Sequence, residues 1–288
     1  MSFRVTIACT RAQGEAIGSG DDLLPDAVLV ADEPDPAEPD RWLIHAYFER
    51  APGERELETL AGLGVGEPYV EELGEADWVT MSQAGLQPIR AGRFYVHTPM
   101  YRARPPGTIA FEIDAGLAFG TGQHATTAGC LEALDRLERE GGRFANVADI
   151  GTGTGLLAFA ALALWPQAKC IATDVDAQAI EVARDNAAIN GVRLGHGAGE
   201  LLLAVADGMD SPMLEARAPF DLIIANILAG PLINLAPQFA EALAPRGMII
   251  LAGLLDTQAE TVVEAYKGRG LSLGDSGRGE WPVLVLRA

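Results

Sequence analysis

The residues best suited to chemistry lie between Leu117 and Asp174. Leu117-Ala-Phe-Gly120-Thr-Gly122-Gln-His124-Ala-Thr126-Thr127 leads to Asp149-Ile-Gly151-Thr-Gly153-Thr-Gly155, and a short apolar run then ends at Asp174. A strand, a glycine turn, a helix and an acid closing the next strand make an α/β grip on a nucleoside-like cofactor. Glycine lets backbone approach the ligand, the helix N-terminus favours an anionic group, and the acid accepts from ribose hydroxyls. Gly151, Gly153 and Gly155 alternate, and Leu156 stands where a dinucleotide fingerprint has its third glycine. That spacing points to S-adenosylmethionine rather than NAD, and hence to methyl transfer.

In a doubly wound sheet the ligand lies across the carboxyl ends of the strands. Two further candidates fall there: Asp207-Gly208 after the third strand, and Asn226-Ile-Leu-Ala229 after the fourth. Each candidate has a plainer role beside the functional one. Asp174 accepts ribose hydroxyls or caps the following helix, which Asp176 is also placed to do. Asp207 accepts from an adenine amino group or forms an Asp-Gly turn. Asn226, the expected catalytic residue, presents a carboxamide and a backbone carbonyl to the methyl acceptor, or merely ends a strand. Thr126 and Thr127 bond either helix backbone or a ligand carboxylate. His124 is a base or a structural part of the glycine loop.

The elements that must position these residues follow from periodicity. After about Gln87, strands Arg93–His97 and Thr108–Ile113 flank a Pro105-Pro106-Gly107 turn, and Thr126–Arg139 reads as a helix. Strict alternation follows: strand Asn146–Ile150, helix Leu156–Trp165, strand Cys170–Asp174, helix Ala177–Asn190, strands Leu201–Ala206 and Phe220–Ala225. A helix through Leu232–Leu243, strand Met248–Ala252 and helix Asp256–Tyr266 come next, and Leu271–Leu273 and Val283–Leu286 form an antiparallel edge. Such alternation predicts a doubly wound, mostly parallel sheet with helices on both faces. Asp176 is the expected N-cap and Gly191 the expected C′ residue of the helix between them. Residues 1–74 read as a small α+β unit of two or three strands. Phe3–Ala8 and Trp42–Phe48 are strands, Leu29–Ala37 a loop, and Glu54–Ala61 a helix. Residues 75–86 read as a connecting helix, and 87–288 as the cofactor domain.

Composition excludes several classes. The net charge is −19, with 18 acids against 5 arginines in residues 1–86 (net −13) and a net of −6 in the remainder. No basic stripe for nucleic acid is visible, and an acidic first unit would either attract a basic partner or simply keep the protein soluble. Cys9, Cys130 and Cys170 are scattered and odd in number, and four histidines lack ligand spacing, so neither disulfides nor a metal is expected. The longest apolar run, Leu156–Trp165, falls short of the roughly 20 residues of a membrane span. No signal peptide is read at the N-terminus. A cytoplasmic, metal-free monomer is expected.

As a set these residues resemble the bacterial ribosomal-protein methyltransferase family PrmA, whose members modify large-subunit ribosomal protein eleven. The resemblance rests on Leu117–Thr127, Asp149–Gly155, Asp174-Val-Asp176, Arg184-Asp-Asn186…Asn190-Gly191, Ala225-Asn-Ile-Leu-Ala-Gly-Pro231 and Gly279-Glu-Trp281. It implies a seven-stranded, Rossmann-like class I methyltransferase domain preceded by a small α+β ferredoxin-like domain that holds the substrate. It also implies methylation of lysine side chains and the N-terminal amine, up to trimethylation, and a linker helix that lets the first domain swing. The family's cofactor positions fall on Thr127, Gly151, Asp174 and Asn226; Gly153 and Asp207 come from the reading of the sheet edge. Ala125 replaces a usual proline, and Ser82 and Gln87 replace an aromatic and a basic residue around the matching Trp78. The rival readings are a lysine methyltransferase with another target, an NAD-linked oxidoreductase and an inactive module that escorts a basic protein.

Overall fold

The computed structural model describes residues 2–11, 13–14, 24, 27–32, 41–48, 50–73, 88–99, 101, 104–113, 123–277 and 279–288. The expected linker helix with Trp78 and Ser82, Gln87, the loop Leu117–Gly122 and the side chain of His124 lie outside the described residues. The chain divides into two compact units, Met1–Gly85 and Leu86–Ala288.

The first unit carries an antiparallel sheet in the order β2-β3-β1-β4. Its strands are β1 (Ser2–Thr10), β2 (Ala27–Asp32), β3 (Arg41–Phe48) and β4 (Val65–Leu73), with helix α1 (Glu54–Leu63) before the last. Val5, Ile7 and Cys9 of β1 alternate inward with Ile44, Ala46 and Phe48 of β3 and meet Leu60 of α1 in one core. Two expectations are corrected. Leu29–Ala37 is not all loop, because β2 pairs with β3 from Ala27↔Phe48 to Asp32↔Leu43, and the Val-Leu-Val run belongs to the ladder. The strands also exceed two or three, since β4 pairs with β1. Its sequence hides it: Gly66 and Pro68 interrupt the pattern, and an edge strand leaves Val65 and Tyr69 exposed rather than alternately buried.

The second unit opens with a small sheet of β5 (Ile89–Ala91), β6 (Phe94–His97) and β7 (Ile109–Glu112). β5 and β6 are antiparallel, whereas β6 and β7 run parallel, so the Pro105-Pro106-Gly107 turn belongs to a crossover rather than a hairpin. Arg93, in the β5–β6 turn, ion-pairs with Asp135 and Glu138 of helix α2 (Gln123–Arg139).

The main sheet alternates as the sequence predicts. Its elements are β8 (Asn146–Ile150), α3 (Leu156–Leu164), β9 (Lys169–Asp174), α4 (Ala177–Ile189) and β10 (Glu200–Val205). A short helix α5 (Pro212–Arg217) follows, then β11 (Phe220–Asn226), α6 (Ala229–Ala242), β12 (Leu243–Ala252) and α7 (Asp256–Lys267). The antiparallel edge is β13 (Ser272–Ser276) with β14 (Leu284–Arg287). The strand order is β10-β9-β8-β11-β12-β14-β13, so the chain reverses direction across the sheet beside β8. Ligands sit at such switch points.

Each central strand is buried on both sides. Val147, Leu222 and Ile224 face one core with Leu131, Leu134 and all of α3 but Ala163; Ala148, Ile223 and Ile249 face another with Leu232, Phe239 and Tyr266. This is why the strands read as unbroken apolar runs. Asp176 caps α4 by accepting from the Gln178 N–H at 2.8 Å, and Gly191 follows with φ 66°. At the far end of α4, the Asn190 carboxamide accepts from the Glu112 N–H at 2.9 Å and donates to the Glu112 carbonyl at 2.7 Å. One side chain thereby fastens the small sheet to the large domain. Asn190→Ala is expected to cost about 2–3 kcal/mol for these paired bonds, read as a lowered urea midpoint; an unchanged midpoint would contradict the role.

Candidate active site

At the end of β8 the chain turns sharply and fastens to its neighbour: the Gly151 and Thr152 N–H groups both donate to the Thr173 carbonyl, at 2.8 and 2.9 Å. Beneath the turn lies Asp149, fully buried. Its Oδ2 accepts from the Thr152 hydroxyl at 2.6 Å and from the Ala158 N–H at 3.1 Å, which ties the turn to the first residues of α3. Asn186, buried on α4, donates to the Thr154 carbonyl at 3.1 Å and braces the turn from the other side.

At the end of β9, Asp174 is half-buried. Its two carboxylate oxygens accept from the Gly153 N–H at 2.9 Å and the Asp176 N–H at 3.1 Å. Two backbone donors fix the carboxylate's orientation and leave further lone pairs for a ligand. At the end of β11, the Asn226 amide donates to the Thr127 hydroxyl at 3.4 Å. Because β8 separates β9 from β11, the strand ends bearing Asp174 and Asn226 stand about 10 Å apart.

The loop after Asn226 is held by two glycines. A Cβ on Gly151 (φ 73°) would lie 2.3 Å from Ile227 Cγ2, and one on Gly253 (φ 85°) would lie 2.4 Å from the Ile227 carbonyl oxygen. No side chain fits at either position, so Ile227 sits in direct contact with both turns. Between the two poles opens a cavity of about 530 Å³. Its walls include Thr127, Gly151, Gly153, Asp174, Asn226 and Trp281.

The sequence of a family described as "Ribosomal protein L11 methyltransferase (PrmA)" matches residues 6–288. The chain belongs to the PrmA family. A relative from Brucella abortus (strain S19), described as "Ribosomal protein L11 methyltransferase", is 46% identical over 256 residues, covering 88% of this chain and 85% of the relative. One of the same description from Rhodopseudomonas palustris (strain BisB5) is 44% identical over 243 residues, covering 82% and 80%. The crystal structure of a ribosomal protein L11 methylase from Lactobacillus delbrueckii subsp. bulgaricus superposes with a TM-score of 0.59 at 27% identity, covering 70% of this chain and 97% of that one. The second unit is an α/β methyltransferase domain with a mostly parallel seven-stranded sheet. The chain is an enzyme of the PrmA methyltransferase kind.

Six candidates from the sequence meet in this PrmA cavity: Thr126, Thr127, Gly151, Gly153, Asp174 and Asn226. Asp207 does not line it. Asp207 is exposed, and its backbone carbonyl accepts from the Asp210 N–H at 3.0 Å, closing the Asp-Gly turn. Sequence reasoning passed over Ile227 and Gly253 in the wall. Gly253 carries the signal that marked Gly151, a glycine directly after an apolar strand.

The buried Asp149 has a thermodynamic consequence. Removal from water pushes its carboxyl from the usual 3.8 up to about 6; the bonds from Thr152 and Ala158 oppose the rise, and the charge of Asp174 adds to it. With the folded value above the unfolded one, the folded state holds an extra proton between these limits. The contribution to stability is full below about pH 4 and is lost as pH rises through about 6. Asparagine keeps the acceptor and does not titrate. Asp149→Asn should therefore gain on the parent protein by up to about 3 kcal/mol between pH 4 and 7. Urea denaturation of both proteins at each pH reads this directly, and a pH-independent difference would contradict it.

Proposed function

We propose that this chain transfers methyl groups from S-adenosylmethionine to lysine side-chain and N-terminal amines of ribosomal protein L11. The observation that carries the reading is the cavity with a carboxylate pole at Asp174 and a carboxamide pole at Asn226, in a member of this family. The residues present suit the donor. Asp174 offers lone pairs to two ribose hydroxyls, and a Cβ on Gly153 would point into open space, which leaves the backbone accessible. Gly151 admits close approach, and Thr127 stands beside Asn226 to meet the amino-acid portion. Asp207 has as support only its place just past β10, on the adenine side of the sheet edge. When bound, S-adenosylmethionine supplies a methyl carbon made electrophilic by its sulfonium.

Asn226 has the orienting task. Its amide N–H is committed to Thr127, so the carboxamide oxygen is left to accept an N–H of the incoming amine and hold the lone pair in line. Among the described residues lining the cavity, Asp174 alone is ionisable. A lysine amine, with a pKa of roughly 10.4, must shed its proton to water at a cost of about 4–5 kcal/mol at neutral pH, and the apolar wall of the cavity lowers that cost.

We read the first unit as a ferredoxin-like recognition domain (residues 1–74), joined by a linker helix (75–86) to the methyltransferase domain (87–288). The antiparallel order β2-β3-β1-β4 and the division of the chain near residue 85 support this. A net charge of −13 over residues 1–86 suits a basic ribosomal substrate and steers its approach. Such a substrate is met in the cytoplasm. Among the described residues no helix is long and apolar enough to cross a membrane.

Incubation with labelled S-adenosylmethionine and recombinant L11 is expected to label lysine and N-terminal amines. Asp174→Ala should weaken calorimetric binding of S-adenosylhomocysteine by on the order of a hundredfold or more, as two charge-assisted bonds are lost, with the fold intact. Absence of label from every L11 amine would overturn the substrate; unchanged affinity in the variant would overturn the site.

A further inference from the structure

We infer that Trp281 is the platform on which the acceptor amine rests, and that its ring favours addition of further methyl groups over release of a partly methylated product. The inference builds on the proposed methyl transfer to protein amines and assigns a residue that its mechanism leaves unused.

Two observations put the ring at the Asn226 pole. The Asp256 N–H donates to the Glu280 carbonyl at 2.9 Å. Asp256 lies three residues beyond Gly253, which backs Ile227. On the other flank, a Cβ on Gly129 would meet Val283 Cγ2 at 2.6 Å, so Val283 presses against α2 two residues beyond Thr127. The segment is thus anchored on one side to α2, which carries Thr127, and on the other to the start of α7, just past the Gly253 turn that backs the residue after Asn226, and Trp281 lines the cavity. Asp174 belongs to the opposite pole, on β9.

The chemistry of this pole is unusual for a site that must receive an amine. Apart from Asp174, no described residue lining the cavity carries a charge, Thr126, Thr127, Asn226, Leu228 and Trp281 among them. A carboxylate here would hold the amine as its ammonium, with no lone pair to attack. An aromatic face attracts a cation without accepting its proton, and tryptophan does so best. Leu228, 73% exposed, offers only an aliphatic surface beside it.

In each transfer the amine lone pair forms an N–C bond while the S–C bond breaks and its electron pair stays on sulfur. The methylated ammonium gives a proton to water, S-adenosylhomocysteine leaves, a second S-adenosylmethionine enters, and the freed amine attacks its methyl group. Each added methyl group makes the cation larger and less hydrated, so the attraction of the ring grows relative to that of water. A partly methylated amine is therefore retained, and a fully methylated one has no lone pair left.

The test compares the parent protein with Trp281→Leu and Trp281→Phe on recombinant L11 and S-adenosylmethionine, counting methyl groups per amine by mass spectrometry over time. Calorimetry with S-adenosylhomocysteine runs in parallel. For Trp281→Leu, a shift from higher to lower methylation states is expected, with KM for L11 raised roughly five- to thirtyfold and S-adenosylhomocysteine affinity within about twofold of the parent. Trp281→Phe should restore most of the distribution. An unchanged distribution in Trp281→Leu overturns the inference, as does a fall in S-adenosylhomocysteine affinity without a change in distribution, which would put the ring on the cofactor. If the leucine variant fails to fold, fluorinated tryptophan decides instead: it keeps the shape and weakens the ring's hold on cations. Incorporated into the parent it should lower the methylation state, and incorporated into Trp281→Phe it should not; equal effects in both would overturn the inference. A parent protein that leaves L11 unmethylated refutes the proposed function, a result distinct from any of these.

Discussion

The contact of Ile227 with the backbones of Gly151 and Gly253 fixes the geometry on which the site depends. Asn226 precedes this residue directly, and its carboxamide is thereby held at a constant distance from the glycine turn on the other side of the cavity. A methyl group at either glycine would occupy space that Ile227 already fills, at 2.3 and 2.4 Å. Both glycines also hold positive φ, a region that other L-residues adopt at a cost. The loop after β11 is thus pinned between the turns after β8 and β12, by the Ile227 side chain against one glycine backbone and the Ile227 backbone against the other. Positioning by backbone is stiffer than positioning by long side chains, which suits in-line transfer.

That rigidity is supported from beneath. Strands β8, β9, β11 and β12 are buried on both faces, and α3 is buried at every position but Ala163. The carboxyl ends of these strands therefore emerge from a packed core. Asp149 is the exception within it, a carboxyl that burial holds near neutrality while it organises Thr152 and Ala158. Its cost in stability purchases a fixed turn. Asn186 and Asn190 on α4 perform the corresponding task with uncharged groups, one bracing the glycine turn and the other the small sheet.

Legibility from sequence followed burial. In the main sheet, strands covered on both faces leave continuous apolar runs closed by Gly, Asp or Asn, and Gly151, Asp174, Asn226 and Gly253 among those closing residues line the cavity. Asp174 and Asn226 were visible for this reason. In the first unit the signal fails where the sheet has an edge: β4 carries Gly66, Pro68 and outward-facing Val65 and Tyr69, and no period-two pattern survives. β2 goes unread because the Asp and Pro residues after it make Leu29–Ala37 look like a loop and obscure an ordinary Val-Leu-Val ladder. Asp207 meets the same strand-end rule as Asp174 and closes an Asp-Gly turn just past β10, outside the cavity wall. Gly253 and Ile227 were missed because their importance is a contact between loops distant in sequence.

The most direct measurement is a crystal structure with S-adenosylhomocysteine. Ribose hydroxyls on the Asp174 carboxylate, with the sulfur turned toward Asn226, are the expected result. A crevice left empty under saturating S-adenosylhomocysteine, or the ligand lodged away from these two residues, would contradict it.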